Sequence, residues 1–203
     1  VIIADRTVSA DPSLYSCFIG TDSAAEGVQA GEWLAEQLDG AEANILVIEG
    51  SVGASAAIGR TEGFNQVAAE HPEWKILDSQ SGDFTQAGGQ QVMESYLKSY
   101  PDQFNVVVCQ NDNEAYGAID AMKEAGVDPL PLVVGVDGTE PALKALEEGE
   151  LLGTVRNAPD MPDVLLELSL ALADGGPVPE SIQVEDGHYI WLPYYKLTSD
   201  TLP

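Results

Sequence analysis

The sequence predicts an α/β protein in which a parallel sheet is flanked by helices. Short apolar runs alternate with longer segments of helical period along most of the chain, which is the pattern of consecutive βα units. Polar residues also collect directly after the apolar runs, where the strands would end. The chain has 203 residues and is 44% hydrophobic, so it can bury a core and form one or two domains.

The predicted strands are apolar runs of ordinary strand length. They span residues 1–5, 15–20, 44–49, 75–79, 105–109, 132–136 and 152–156. Since most of them are separated by a helical segment, we expect neighbouring strands to run parallel.

The first predicted helix opens on Ser23-x-x-Glu26, the pattern of a capping box. Its predicted buried stripe consists of Ala24, Val28, Gly31, Ala35 and Leu38. The later predicted helices span residues 54–70, 86–100 and 113–125, a short segment that ends at Gly149, and residues 163–173, followed by extended pieces at 181–184 and 189–192.

The charge balance excludes ordinary nucleic-acid and anionic-membrane partners. Asp and Glu number 34 against 8 Lys and Arg, which gives a formal net charge of −26. Affinity for a phosphate backbone comes from clustered basic residues, and this chain has too few to cluster. No apolar run reaches the ~20 residues that a membrane helix needs. We expect Cys17 and Cys109, each within an apolar run, to be buried free thiols.

The polar residues that follow the predicted strands have the chemistry of a sugar site. In open α/β sheets a ligand binds beyond the carboxyl ends of the strands. A carboxylate beside a guanidinium or an amide satisfies vicinal hydroxyls, which both donate and accept, and an aromatic ring covers an apolar C–H face. The strand-end segments are 5–6, 49–60, 81–84, 110–112, 137–138 and 156–160, and they contain all three arginines of the chain, Arg6, Arg60 and Arg156.

These segments resemble periplasmic sugar-binding proteins of the ribose/galactose type, the solute receptors of ABC importers, and most closely their galactofuranose-binding branch. The matching stretches occur in family order over nearly the whole chain. They are VIIADR at 1–6, EGSVGASAAI at 49–58, GRTEGF at 59–64, SQSGDF at 79–84, QND at 110–112, GVDG at 135–138 and NAPD at 157–160. The chain is similar to the later part of such a protein, so we expect its natural N-terminus, with a signal peptide, to lie upstream.

The resemblance implies a set of sugar-binding residues from two lobes. Asp5 and Arg6 would bind the sugar from the first lobe, and the second lobe would supply the other contacts, with Phe84 as the stacking ring. The second-lobe residues are Arg60, Phe84, Asn111 and Asp137. Asn157 would add an amide at a position that is often Gln in ribose binders, which leaves the identity of the sugar open.

The resemblance also implies the fold, the domains and the partners. The fold would be that of a type I periplasmic binding protein, with residues 1–22 and 158–186 as an incomplete first lobe and residues 23–157 as the second. Residues 187–203 would hold a hinge crossing and the tail, with other crossings near residues 22–23 and 157–158. A monosaccharide and the ABC permease would be the partners, outside the cytoplasm, with no cofactor or metal. The incomplete lobe would weaken sugar binding or self-associate.

Apart from Asn157, these site residues also have simpler structural interpretations. Asp5 and Arg6 could form a surface ion pair, and Arg60 could pair with Glu62 or another exposed acid. Phe84 could fill a gap between helix and sheet. Asn111-Asp112 could cap the following helix, with Asp112 capping while Asn111 faces the ligand, and Asp137-Gly138 could be a plain βα turn.

Other classes of function have weaker support in the sequence. Residues 50–55 lack the Gly-Lys-Ser/Thr ending of a phosphate loop, and His71 and His188 have no companions at metal-ligand spacing. A glycosidase would need paired carboxylates, for which Asp5 and Asp137 are the candidates. The effector domain of a LacI-type repressor shares the predicted fold and is the main alternative.

Overall fold

The structure is a computed structural model that describes residues 1–157, 161–176 and 189–201. Its internal contacts divide the chain into two units: Val1–Asp22 with Asn157–Tyr195, and Ser23–Arg156 with Lys196–Pro203. The extended piece predicted at 181–184, the segment 158–160, His188 and parts of two predicted hinge crossings lie outside the described residues.

The first unit is built on a three-stranded parallel sheet in the order β1-β2-β8. The strands are β1 (Ile2–Ala4), β2 (Cys17–Gly20) and β8 (Tyr189–Trp191). Helix α6 (Met161–Ala173) covers this sheet and buries Leu168 against Cys17 and Ile19. A short 3₁₀ helix, Pro12–Leu14, lies between the first two strands.

The second unit carries a six-stranded sheet in the order β4-β3-β5-β6-β7-β9. Its strands are β3 (Ala43–Glu49), β4 (Trp74–Ser81), β5 (Val106–Cys109), β6 (Leu132–Asp137), β7 (Gly153–Asn157) and β9 (Tyr194–Thr198). The pairs from β4 through β7 are parallel. The predicted α/β class is therefore confirmed, and the predicted strands agree with the observed ones to within about two residues.

Five helices complete the second unit, and a 3₁₀ helix, Ser199–Thr201, follows β9. The helices are α1 (Ser23–Leu38), α2 (Ser55–Ala68), α3 (Gln86–Ser99), α4 (Asp112–Glu124) and α5 (Glu140–Glu147). The main core lies between the sheet and helices α3, α4 and α5, where Met93, Tyr96 and Met122 are fully buried. None of the helices in the described part of the chain is long and apolar enough to cross a membrane.

Strand β4 is longer than predicted because it pairs with the whole of β3. The pairing runs from Ala43 opposite Trp74 to Glu49 opposite Ser81, with a register shift between Ile45 and Leu46. The shift reflects one extra residue in β4, a β-bulge, which breaks the alternation of its side chains. The polar residues at the end of β4 therefore belong to the strand, which ends at Ser81, just before Gly82.

Helix α1 differs from its prediction in both its cap and its buried face. Glu26 does not form a capping box, because one carboxylate oxygen pairs with Arg60 and the other has no hydrogen-bond partner in the described structure. The buried face includes Glu26, Ala30, Trp33 and Leu34, whereas Ala24, Val28 and Ala35 of the predicted stripe are only half-buried. Gly31 and Leu38 are buried as predicted, and the rest of the stripe is wrong because a buried carboxylate and a bulky tryptophan lie on the inner face.

Helices α1 and α2 cross at glycines. A Cβ atom on Gly27 would lie 2.3 Å from the carbonyl oxygen of Arg60, and one on Gly63 would lie 2.0 Å from that of Ala24. Helices α3 and α4 meet in the same way, with Gly89 against the backbone of Glu114. The close crossing of α1 and α2 lets side chains of the two helices pair directly, and this positions the candidate site.

Candidate functional site

The second unit groups its predicted sugar-binding residues at the carboxyl end of its sheet. Arg60 on α2 places Nη2 3.4 Å from Oδ1 of Asp137, the last residue of β6. The guanidinium carbon is 5.9 Å from the centre of the Phe84 ring. Asn111, after β5, donates from Nδ2 to the carbonyl oxygen of Phe84 at 3.1 Å. Arg60, Phe84, Asn111 and Asp137 thus form one cluster.

Arg60 is a buried arginine held from three directions. Its Nε donates to Oε2 of Glu26 at 2.8 Å, and Nη1 donates to the carbonyl oxygen of Gln110 at 2.6 Å. Arg60 is 8% exposed and Glu26 0%. The simpler interpretation, pairing with Glu62 or another exposed acid, is therefore wrong. A guanidinium has five N–H donors, of which the described residues engage three, so it can also bind a ligand oxygen.

Phe84 is a half-buried ring that rests on the backbone of another loop. A Cβ atom on Gly50 would lie 1.9 Å from Cζ of this ring, so only glycine allows the two segments to meet. Asp83 and Phe84 both have φ of 58°, a left-handed conformation that bulky residues rarely adopt. The ring is not part of the buried core of the described structure, which favours a stacking role over gap filling.

At the start of α4 the cap is Asn111, whereas we expected Asp112 to cap the helix and Asn111 to face the ligand. Asn111 is the N-cap, because its Oδ1 accepts from the backbone N–H of Glu114 at 2.9 Å. Asp112 instead points into the sheet and accepts from the Thr154 hydroxyl at 2.7 Å and from the Thr139 backbone N–H at 2.8 Å. Burial raises the pKa of Asp112, and these hydrogen bonds oppose the rise.

Gln110 is a buried residue of the site that we did not predict. Its Oε1 accepts from the backbone N–H of Gly50 at 2.8 Å, and its Nε2 donates to the Thr61 hydroxyl at 2.7 Å. It therefore ties the loop after β3 to helix α2. Because its own carbonyl oxygen also accepts from Arg60, Gln110 aligns the guanidinium with the loop on which Phe84 rests.

Glu114 is a second unpredicted residue, on the first turn of α4. It is fully buried, and its Oε1 accepts from the backbone N–H of Phe84 at 2.9 Å. Burial raises the pKa of Glu114 to about 7, while the N–H groups of Phe84 and Asn111 and the charge of Arg60 lower it. Three carboxylates, those of Glu26, Glu114 and Asp137, thus surround a single arginine in this cluster.

The other predicted residues lie outside this cluster or outside the description. Asp5 and Arg6 follow β1 in the first unit, with Arg6 Nε 3.5 Å from Asp5 Oδ2 and both side chains well exposed. Asp5 has φ of 69°. Asn157 is the last residue of β7, and its side chain is not among those described. A sugar-binding role for these residues stays a prediction.

A cavity of about 180 Å³ lies near Arg60, on the face of the sheet that α1 and α2 cover. Its wall includes Val47, Phe64, Val108 and Val136. Sugar hydroxyls need hydrogen-bond partners on most sides, so this mainly apolar space does not suit a sugar.

The cluster suits a neutral, polyhydroxylated ligand of small size. Asp137 accepts and the guanidinium donates, while Phe84, whose carbonyl oxygen the Asn111 amide holds, offers the apolar face of its ring. The carboxylates leave no excess of positive charge for a phosphate. Among the described residues, no group of three His, Cys, Asp or Glu side chains is arranged to hold a metal ion. Both cysteines are free and buried, as predicted, and burial raises the pKa of each thiol.

Comparison with known proteins identifies similar sugar-binding proteins. The galactofuranose-binding protein of Escherichia coli is 36% identical over 187 residues, which cover 90% of this chain and 59% of that protein. The ribose import binding protein of the same organism is 38% identical over 142 residues, 70% of this chain and 47% of the other. This chain thus spans about half the length of these relatives.

Solved structures agree with these relatives. A galactofuranose-binding protein superposes with a TM-score of 0.90 at 33% identity, over 98% of this chain and 67% of the other. The binding component of an arabinose ABC transporter from Shewanella was solved with L-arabinofuranose. It has a TM-score of 0.89 at 36% identity, over 98% of this chain and 65% of the other. The periplasmic binding protein domain matches residues 1–177. On this match, the chain belongs to the family of the periplasmic binding protein domain.

Proposed function

We propose that this chain is part of an extracytoplasmic receptor that binds a monosaccharide and delivers it to an ABC importer. The observation that carries the proposal is Arg60, which is buried, paired with the buried Glu26 and directed at Asp137 beside a half-buried phenyl ring. Because a buried ion pair adds little net stability by itself, ligand binding at the carboxyl end of the sheet would explain why α2 keeps this desolvated arginine. The named relatives bind galactofuranose, ribose and L-arabinofuranose, which favours a receptor over a repressor.

The proposed receptor closes two lobes on its sugar. Residues 1–22 and 158–186 would belong to the first lobe, residues 23–157 to the second, and residues 187–203 to a hinge crossing and the tail. Asp5 and Arg6 would contact the sugar from the first lobe, and Asn157 from the crossing. Because such a sugar touches both lobes only when they are closed, its binding would favour the closed state, which the permease would recognise.

The proposed ligand is a pentose or a hexose, in furanose or pyranose form, bound without catalysis or cofactor. NMR titration of the chain with D-ribose, L-arabinose, D-xylose and D-galactose is expected to shift signals of residues at the carboxyl end of the second sheet. Asp137→Asn should weaken the tightest of these by about tenfold or more, because a charged acceptor for hydroxyls is lost. Glu62→Gln, exposed on α2, is the matched control.

Absence of shifts with all of these sugars would count against a sugar receptor. Turnover of nitrophenyl glycosides by the chain would instead favour the glycosidase class. Equal weakening by Asp137→Asn and Glu62→Gln would remove Asp137 from the proposed site.

We also propose that the chain self-associates through its first unit. Leu166 and Leu170, one turn apart on α6, are each 60% exposed, and Val1 and Leu165 border a surface groove of about 520 Å³. Apolar surface of this kind favours association of copies. Light scattering should show a mass that rises with concentration, and Leu166→Glu with Leu170→Glu should abolish the rise. A monodisperse monomer at high concentration would contradict the proposal.

A further inference from the structure

The backbone of Phe84 is held at both ends by the first turn of α4. The Phe84 N–H donates to Oε1 of Glu114 at 2.9 Å, and the Phe84 carbonyl oxygen accepts from Nδ2 of Asn111 at 3.1 Å. Asn111 is itself fixed, because its Oδ1 caps the same helix at the N–H of Glu114. One turn of helix therefore determines where the Phe84 peptide lies.

Phe84 needs such a support because its conformation is unfavourable. Asp83 and Phe84 have consecutive left-handed φ values of 58°, and residues with side chains adopt this conformation only where their surroundings impose it. Without the Glu114 contact, the Phe84 N–H loses its hydrogen bond, and the peptide can rotate about the carbonyl group that Asn111 holds. The ring would then leave the backbone of Gly50 and its position 5.9 Å from the Arg60 guanidinium.

Glu114 is a costly residue to keep in a purely structural role. Its side chain is buried, and Oε2 has no hydrogen-bond partner in the described structure. The ionisable groups that face it are Arg60 from α2, Asp137 from β6 and the Cys109 thiol of β5, while α3 meets it with Gly89. A buried polar group with an unsatisfied oxygen destabilises the fold, so its contact with Phe84 is a reason to keep it.

We propose that Glu114 is the positioning residue of the Phe84 ring, and that it controls sugar affinity through this ring without touching the sugar. The proposal rests on the proposed function, since it takes the ring as the stacking surface for the ligand. Its geometric part, the control of the ring by the Glu114 carboxyl group, holds in the absence of any sugar. The two parts are therefore tested separately.

The first test follows the ring by fluorine NMR in the 203-residue chain labelled with 4-fluorophenylalanine. The chain has four phenylalanines, and Phe84→Leu assigns the signal of interest. This signal is expected to titrate with a midpoint at pH of about 7 and to lose that titration in Glu114→Gln. The other fluorine signals serve as the control for a general effect of pH. A Phe84 signal that does not titrate, or that titrates equally in Glu114→Gln, overturns the proposal.

The second test measures affinity for D-ribose, L-arabinose and D-galactose with the same fluorine signal. Glu114→Ala removes the acceptor and is expected to weaken binding by about tenfold or more. Glu114→Gln keeps an oxygen for the Phe84 N–H and is expected to recover most of this loss. Glu124→Ala, exposed on the same helix, is the matched control. The proposal is overturned if Glu114→Ala binds with unchanged affinity, or if Glu114→Gln binds as weakly as Glu114→Ala. If the wild-type chain binds none of these sugars, the proposed sugar receptor is overturned instead, and the first test alone decides whether Glu114 positions the ring.

Discussion

Arg60→Ala is expected to lower the free energy of unfolding by about 3–5 kcal/mol, because it leaves the fully buried Glu26 carboxylate without its partner. One oxygen of Glu26 already has no hydrogen bond in the described structure, so the substitution would leave the whole buried group unsatisfied. The Gln110 carbonyl oxygen would also lose a donor. Urea unfolding of the wild type and the variant measures the difference.

Two further variants show whether the loss of stability in Arg60→Ala comes from the burial of the ion pair or only from the removal of a positive charge. Lys144→Ala removes a cation from an exposed pair with Glu148 and is expected to change stability by less than about 1 kcal/mol. Glu26→Leu with Arg60→Met replaces the buried pair by apolar side chains and should recover most of the lost stability, yet bind no sugar. If Arg60→Ala is no more destabilising than Lys144→Ala, the buried pair has no role in stability.

Stability is expected to fall as the pH rises from about 5 to about 7, and Glu114 should account for a large part of the fall. Its pKa is about 7 in the folded chain against an ordinary value of 4.5, so in this range the folded state binds more protons than the unfolded state. The stabilisation is complete below the ordinary value and is lost as the pH rises through the folded value. The difference corresponds to about 3 kcal/mol.

The comparison that checks this is urea unfolding of the wild type and Glu114→Gln at several pH values. The net charge of −26 also makes the chain less stable as carboxylates ionise, and the raised pKa of Asp112 acts in the same direction. Both effects remain in Glu114→Gln, so the difference between the two slopes isolates Glu114. Parallel slopes would show that Glu114 has the same protonation in both states.

One rule predicts that the segments containing Arg60, Phe84, Asn111 and Asp137 converge, whereas the choice of these four residues came from the resemblance to sugar-binding proteins. Parallel strands end at the same edge, so residues that follow consecutive apolar runs converge there. The rule places backbone positions, and the sequence distance between the residues does not matter to it. It cannot say which way a side chain turns, which is why the cap of α4 was expected at Asp112 and is found at Asn111.

Gln110 directly follows β5 and falls under that rule, but Glu26 and Glu114 lie within helices and could not be predicted by it, because their roles arise from tertiary contacts. Glu26 looked like a capping residue, and its actual partner, Arg60, is on another helix that approaches through glycines. One feature of the sequence did indicate that Glu26 is buried. Its carboxylate lies between two small residues, Ala25 and Gly27, on a helix that packs on a sheet. Glu114 carried a similar signal, since it precedes Ala115 on the buried face of α4.

The close crossing of α1 and α2 at glycines limits which positions near the candidate site can accept substitutions. Gly27 meets the carbonyl oxygen of Arg60 itself, so even one added methyl group would push the arginine away from Glu26 and Asp137. By contrast, Val52, in the loop that Gln110 anchors, is 91% exposed. New ligand preferences would therefore arise by substitution in the loops, on a helix pair that admits almost no sequence change.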